Sequence, residues 1–280
     1  MVARVVGYDK RMLQRRQFLS FAAASTLSAV PFRRSGAAEI AFQAPGDSKP
    51  NGLQATSDGL WIVDQSEGSR VYLVSYEKGD VLRSFETKAD RPSGITFDGE
   101  ALWLSSTYNR LILRVDARTG STLAEYVAPG AGPIYRMMGD PAARRSPLAP
   151  APAPSAATNA LPPGGTSGTG AHGAEWRDGK LWIAVPPSRT IFQIDPKTWI
   201  VERKFATVGN RPHGIGWEGA YLWCADSNLN SFVKHDPATG ALVEKIRLRD
   251  TDPLPHGMTI WRGTMWYCDD VGVICRFKLS

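Results

Sequence analysis

Three of the four histidines in the chain stand immediately before a glycine, in Ala171-His172-Gly173, Pro212-His213-Gly214 and Pro255-His256-Gly257. Imidazole nitrogens are good ligands for divalent transition metals. Three of them brought to one point form a facial set that leaves positions open for water or substrate. An ion held in that way would polarise a carbonyl or lower the pKa of a bound water. The competing reading is a cluster of neutral imidazoles that hydrogen-bond their neighbours in a polar channel. Acids stand close by: Asp64, Asp226 and Asp269 each follow a tryptophan by three residues, Asp270 is next to the last of them, and Glu175 follows His172. As functional groups, Asp226, Asp269 and Glu175 are candidates for a general base or for acceptors that orient a ligating imidazole. As structure, an Asp at a strand end caps a turn or satisfies nearby backbone amides.

Residues so far apart in sequence meet only if the chain folds as a rotational repeat, and the spacing says that it does. Gly52, Gly94, Gly173, Gly214 and Gly257 each precede a tryptophan (Trp61, Trp103, Trp182, Trp223, Trp266) with eight residues between. Successive glycines lie 42, 79, 41 and 43 residues apart, so the period is near 40 and one gap is about double. Four short β-rich runs per period are the signature of a propeller blade. The expected fold is therefore an all-β propeller of five readable four-stranded blades, with a sixth possible by length. In each unit the run after the glycine (Ile95-Thr-Phe; Ile215-Gly-Trp) is the innermost strand and the tryptophan run is the second. In the second unit Leu111–Asp116 and Ser121–Tyr126 supply the third and outer strands. The tryptophans fill the gaps between blades. The last unit has room for only three strands, so Ala38–Gln43 is expected to complete it and close the ring. The column of residues before the glycine then becomes a ring around the axis: Asn51, Ser93, His172, His213 and His256.

Residues at about 128–170 break this pattern with Pro/Ala/Gly-rich sequence that buries too little apolar surface to offset its ordering entropy. They read either as a loose insertion or, through Tyr135 and Arg136, as a lid over the channel mouth. Cys268 and Cys275 flank a turn expected at Asp269–Gly272, and are either a disulfide across a hairpin or two small buried residues. Cys224 reads as core. His235, in Lys234-His-Asp-Pro, reads as a surface residue at a turn.

The chain has 280 residues, is 42% apolar and has a formal charge of +6. Seven Lys/Arg and one acid fall within the first 38 residues, which leaves 26 basic and 26 acidic side chains beyond them. A neutral body removes the main argument for a nucleic-acid partner. The basic segment contains Arg15-Arg16-Gln-Phe-Leu, an apolar run to Phe32 and the small residues Ser35-Gly-Ala-Ala38, the order of a twin-arginine signal peptide. The apolar run is about 15 residues, short of the ~20 that span a bilayer. The expectation is a signal peptide at 1–38 and one propeller domain at 39–280, periplasmic or secreted from a bacterium, monomeric and without a membrane partner once mature.

Pro212-His-Gly-Ile215, Asp178-Gly-Lys-Leu-Trp182 and Asp236-Pro-Ala-Thr-Gly240 resemble the propellers of virginiamycin B (streptogramin) lyase and the wider NHL/YVTN/SMP-30 group. In that lyase, elimination opens a cyclic ester with a His, a Glu and Mg²⁺ in the channel; no such pair aligns here residue by residue. The three-histidine column is similar to that of peptidylglycine α-amidating lyase, which implies zinc on His172, His213 and His256. The functional expectation is a lyase or hydrolase that depends on a divalent metal (Zn, Mg or another) and acts on a small molecule in the channel. The alternative is a non-catalytic scaffold that binds a ligand or protein on one face.

Overall fold

In the first four units the four apolar runs hydrogen-bond in chain order into an antiparallel sheet. The computed structural model describes residues 32–34, 38–66, 68–133, 147–148 and 168–279. Blade 1 comprises Pro50–Thr56, Gly59–Asp64, Arg70–Val74 and Val81–Glu86; blade 2 comprises Gly94–Phe97, Ala101–Ser106, Leu111–Asp116 and Thr122–Val127. Blade 3 comprises Gly173–Arg177, Lys180–Val185, Thr190–Asp195 and Ile200–Ala206; blade 4 comprises Pro212–Glu218, Tyr221–Asp226, Ser231–His235 and Leu242–Arg247. Blade 5 supplies Met258–Trp261, Thr264–Asp269 and Val273–Lys278 from its own repeat. Its outer strand is Glu39–Gln43, antiparallel to Val273–Lys278 with Ile40 opposite Cys275. The expected closure by the N-terminal strand is therefore present, and it pairs two edges that would otherwise be open. Among the described residues there is no sixth blade.

Each tryptophan packs between its own blade and the next, so the core is five interblade clusters. Trp61 packs with Ile95 and Leu104 of blade 2, Trp103 with Ile183 of blade 3, and Trp182 with Ile215 of blade 4. Trp223 packs with Met258 of blade 5, and Trp266 with Leu53 of blade 1. All five indoles are at most 5% exposed, which is the packing role their spacing suggested.

The repeated glycine has a second cause, at the axis. A Cβ on Gly173 would overlap the carbonyl oxygen of His213, one on Gly214 the amide of Met258, and one on Gly257 the backbone of Gly52. Gly52 faces Ser93 and Gly94 faces Gly173 in the same way. Five inner strands thus touch backbone to backbone around the ring, a fit that only a residue without a side chain permits. The axis is tightly packed at this layer, so the ring of histidines belongs to a mouth on one side of it.

Several features differ from the sequence reading. Cys268 lies opposite Ile274 and Cys275 opposite Tyr267, one residue out of step. Period-2 alternation then sends them to opposite faces of the sheet, Cys268 toward blade 1 and Cys275 toward blade 4. All three cysteines are free and buried. His235 is not a surface residue: it is 1% exposed, with Nδ1 3.1 Å from the Gly240 carbonyl and its ring 5.2 Å from that of Phe205 in blade 3. Phe32–Arg34, assigned above to the signal segment, pairs in parallel with Leu242–Arg247 at the edge of blade 4. The insertion begins and ends in a two-residue ladder, Gly132–Pro133 against Gly168–Thr169. Tyr135 and Arg136 lie outside the described residues, as does nearly all of the expected signal peptide.

Candidate functional site

In blades 1 and 4 the residue before the glycine sits at a break in the inner ladder. Pairing with the second strand shifts between Pro50 and Gly52 and again between Pro212 and Ile215. Such irregularities release side chains from strict alternation and re-aim them, here Asn51 and His213. The amide freed at Gly214 donates instead to the His256 carbonyl at 2.9 Å, across the blade boundary. An aspartate three residues after the tryptophan fixes the entry to each of three inner strands. Asp64 Oδ1 accepts from the Lys49 amide (2.8 Å), Asp226 Oδ2 from Arg211 (3.0 Å) and Asp269 Oδ2 from Leu254 (2.7 Å). Asp226 Oδ1 also accepts from Leu229 at 3.0 Å. Asp226 and Asp269 therefore hold the backbone beneath the histidines, the structural role open to them from sequence.

The three imidazoles come together as a contiguous wall. Ring centroids are 4.8 Å apart for His172 and His213 and 4.8 Å apart for His213 and His256, with steep interplanar angles of 82° and 71°. His172 is 6% exposed and the other two 1%. His213 Nδ1 is 3.0 Å from the Arg211 carbonyl and 3.0 Å from Ser227 Oγ, and that hydroxyl donates to the Pro255 carbonyl at 2.6 Å. With the Ser227 proton so engaged, His213 Nδ1–H donates to Arg211 and Nε2 keeps the lone pair. His256 repeats the geometry, with Nδ1 3.4 Å from the Leu254 carbonyl and a buried Nε2 that has no hydrogen-bond partner. Neither ring nitrogen of His172 has one. Burial lowers the pKa of all three. It brings His172 down to about 3 with help from the Arg211 charge, and it holds His213 well below its ordinary value. At neutral pH the wall is uncharged and presents lone pairs, the protonation state that metal ligation requires. Nδ1–H bonds to backbone carbonyls are also how ligating imidazoles are commonly oriented.

The charged groups at this mouth were harder to see from sequence. Arg211 is largely buried beside the wall, its Nε has no partner, and no described carboxylate lies within ion-pair distance of its guanidinium. Asp270, 42% exposed at the side chain, places Oδ2 3.6 Å from His256 Nε2. Burial raises the Asp270 pKa, but His256, a hydrogen bond from Asp269 and the charges of Arg211 and Lys49 outweigh that and leave it lowered. Asp270 belongs to a column one residue past the structural aspartates that also holds Gln65, Thr107 and Ser227. Gln65 links the remaining ring members, accepting from Asn51 Nδ2 (3.2 Å) and donating to Ser93 Oγ (2.6 Å). On that side a cavity of about 660 Å³ opens between blades 1 and 2, lined by Lys49, Gln65, Arg91 and Tyr108 among others. The Arg91 guanidinium sits 5.0 Å over the Tyr108 ring. Two registers in the repeat, the residue before Pro-x-Gly (Lys49, Arg91, Arg211) and the fourth after the tryptophan, were the available signals.

Glu175 stands apart. It lies three residues along the inner strand from His172, on the order of 10 Å at the rise of an extended chain, on the far side of the glycine layer. It is 5% exposed and hydrogen-bonded to Thr259 of blade 5, and burial raises its pKa to about 8. It therefore keeps its proton at neutral pH. Among the described residues, one group of three ligating side chains closes to within 4.8 Å: His256, Asp269 and Asp270.

No family model and no curated protein matches the sequence. Among solved structures the chain is similar to glutaminyl cyclase from Myxococcus xanthus, at 12% identity over 88% of this chain and 96% of that one, with a TM-score of 0.62. It is also similar to virginiamycin B lyase from Staphylococcus aureus, at 20% identity over 85% of this chain and 69% of that one (TM-score 0.48). A streptogramin B lyase structure gives 19% identity over 84% and 67% (TM-score 0.47). At these identities the likeness establishes the β-propeller fold, on which enzymes occur, and leaves the reaction to be argued from the site.

Proposed function

We propose that this chain is an exported, metal-dependent lyase or hydrolase that acts on a small molecule at the histidine-lined mouth. The observation that carries the proposal is the contiguous wall of His172, His213 and His256, buried and packed edge to face from three consecutive blades. A divalent ion bound at this wall would supply a Lewis acid for a carbonyl or ester. The chain supplies the rest. Lys49 and Arg91 would hold an anionic end of the substrate in the adjoining cavity. Arg211, which has no carboxylate within ion-pair distance among the described residues, would stabilise an oxyanion as it forms. Asp270, reachable from solvent beside His256, would add negative charge to balance the ion. Asp226 and Asp269 keep the strand entries, and with them the imidazoles, in place; Glu175 holds its proton deeper on the axis. Export by the twin-arginine route and action as a monomer belong to the same proposal, on the strength of the Arg15-Arg16 segment.

The test is metal content joined to activity. Mature protein from its native compartment should contain about one divalent ion per chain. His256→Ala should lose it, and chelation should abolish turnover of any substrate found among small esters and lactones. Metal-free protein indifferent to chelator would instead favour a non-catalytic ligand-binding propeller. The observation on that side is that Asp226 and Asp269 are already engaged by backbone amides.

A further inference from the structure

In the column four residues after the tryptophan, three blades carry neutral groups that donate toward the next blade. Gln65 Nε2 donates to Ser93 Oγ (2.6 Å), Thr107 Oγ1 to the Ala171 carbonyl (3.0 Å) and Ser227 Oγ to the Pro255 carbonyl (2.6 Å). Blade 5 places Asp270 there, which as a carboxylate has no proton to give. It stands instead in hydrogen-bond contact with the carboxyl of Asp269, which is fully buried. Two acids in contact repel unless a proton or a cation lies between them.

A second observation points into the same spot. His256 Nε2 is buried, has no hydrogen-bond partner and faces Asp270 Oδ2 at 3.6 Å, beyond hydrogen-bond range. We infer that His256, Asp269 and Asp270 form the primary divalent-cation site of this protein, with His213 and His172 left facing the substrate. The inference rests on reading the mouth as a metal centre and narrows which of its side chains hold the ion.

Charge decides between this set and the three imidazoles. Three neutral rings beside an Arg211 guanidinium present a divalent ion with repulsion and no countercharge. One ring and two carboxylates present two negative charges that balance it, and mixed N/O donors suit Zn²⁺, Mn²⁺ or Fe²⁺. The ligating atoms now span up to 4.8 Å, somewhat wider than the ~4 Å across a site with ligand bonds of about 2.1 Å. Asp270, on a turn and 42% exposed, is the member free to move inward, and its exposed side gives the ion a way in.

The experiment is calorimetric titration of Zn²⁺ and of Mn²⁺ into chelator-treated mature protein, compared with Asp270→Asn and His172→Ala. Thermal melts check that each variant is folded, and Asp270→Glu serves as the conservative control. The site predicts one ion per chain, affinity reduced at least tenfold in Asp270→Asn and largely restored in Asp270→Glu, and a change below about threefold in His172→Ala. Unchanged affinity in Asp270→Asn with loss in His172→Ala would overturn this site while leaving the metal-dependent reading intact. Wild-type protein that binds neither ion would overturn both.

Discussion

Glu175 offers a quantitative test of how tightly the axis is packed. Its carboxyl accepts hydrogen bonds from the Thr259 hydroxyl and the Trp176 amide, yet burial dominates and raises its pKa from 4.5 to about 8. Between those two values the unfolded chain releases the proton while the folded chain keeps it. The folded state therefore binds more protons, and stability falls as pH rises from about 4.5 until it levels off above about 8. At about 1.4 kcal/mol per pH unit, the accumulated loss is roughly 3 kcal/mol at pH 7 and roughly 5 kcal/mol above pH 8. Glu175→Gln keeps a carbonyl for both donors and has nothing to ionise. It should be roughly 3 kcal/mol more stable than the parent at pH 7, a rise in Tm of roughly 6–12 °C for a domain of this size, with little difference near pH 4. Urea and thermal melts of both proteins from pH 4 to 9 measure the gap. A gap that stays constant from pH 5 to 8 would mean that the carboxyl ionises normally and that the axis is open to water.

Other expectations follow from the same packing. Gly214→Ala forces a Cβ into the Met258 amide of the neighbouring blade and should cost more than about 4 kcal/mol or prevent folding, read by denaturant melts. Trp223→Ala empties the interface between blades 4 and 5, where the indole is fully buried and bonds Glu218 at 2.8 Å, and should cost about 3–5 kcal/mol in the same melts. A thiol reagent should find no accessible group in native protein and three after denaturation, and a reductant should leave the Tm unchanged, because the three buried cysteines form no bridge. Once a substrate is known, Arg91→Gln should raise KM with a smaller effect on kcat, as expected for a group that holds an anionic end away from the reacting bond.

The architecture was legible because a propeller repeats its constraints. One glycine per blade must admit a neighbouring backbone, one tryptophan per blade must fill an interface, and their fixed separation set both the period and the closure by Glu39–Gln43. The same register picked out His172, His213 and His256, whose rings lie side by side, and Asn51 and Ser93, which Gln65 links. What escaped depends on contacts between units rather than within them. His235 looks like a turn residue in Lys-His-Asp-Pro, but Phe205 of the preceding blade covers it. Cys268 and Cys275 look like partners across a turn, but the hairpin register sets them one residue out of step and on opposite faces. Asp226 and Asp269 carried both a structural and a functional reading, and only the folded chain shows one oxygen of each holding the amides of Arg211 and Leu254. Arg211 and Asp270 were visible as residues, but a basic residue before Pro-His-Gly does not disclose that its side chain is buried close enough for its charge to act on the imidazoles.

The most direct test is an anomalous difference map, recorded at the zinc edge, from crystals grown with Zn²⁺. A single peak about 2.1 Å from His256 Nε2, inside the mouth bounded by His213 and Asp270, is the predicted result. A map with no peak at that position, or with zinc only at scattered surface groups, would contradict the proposal that the mouth beside His256 holds a metal.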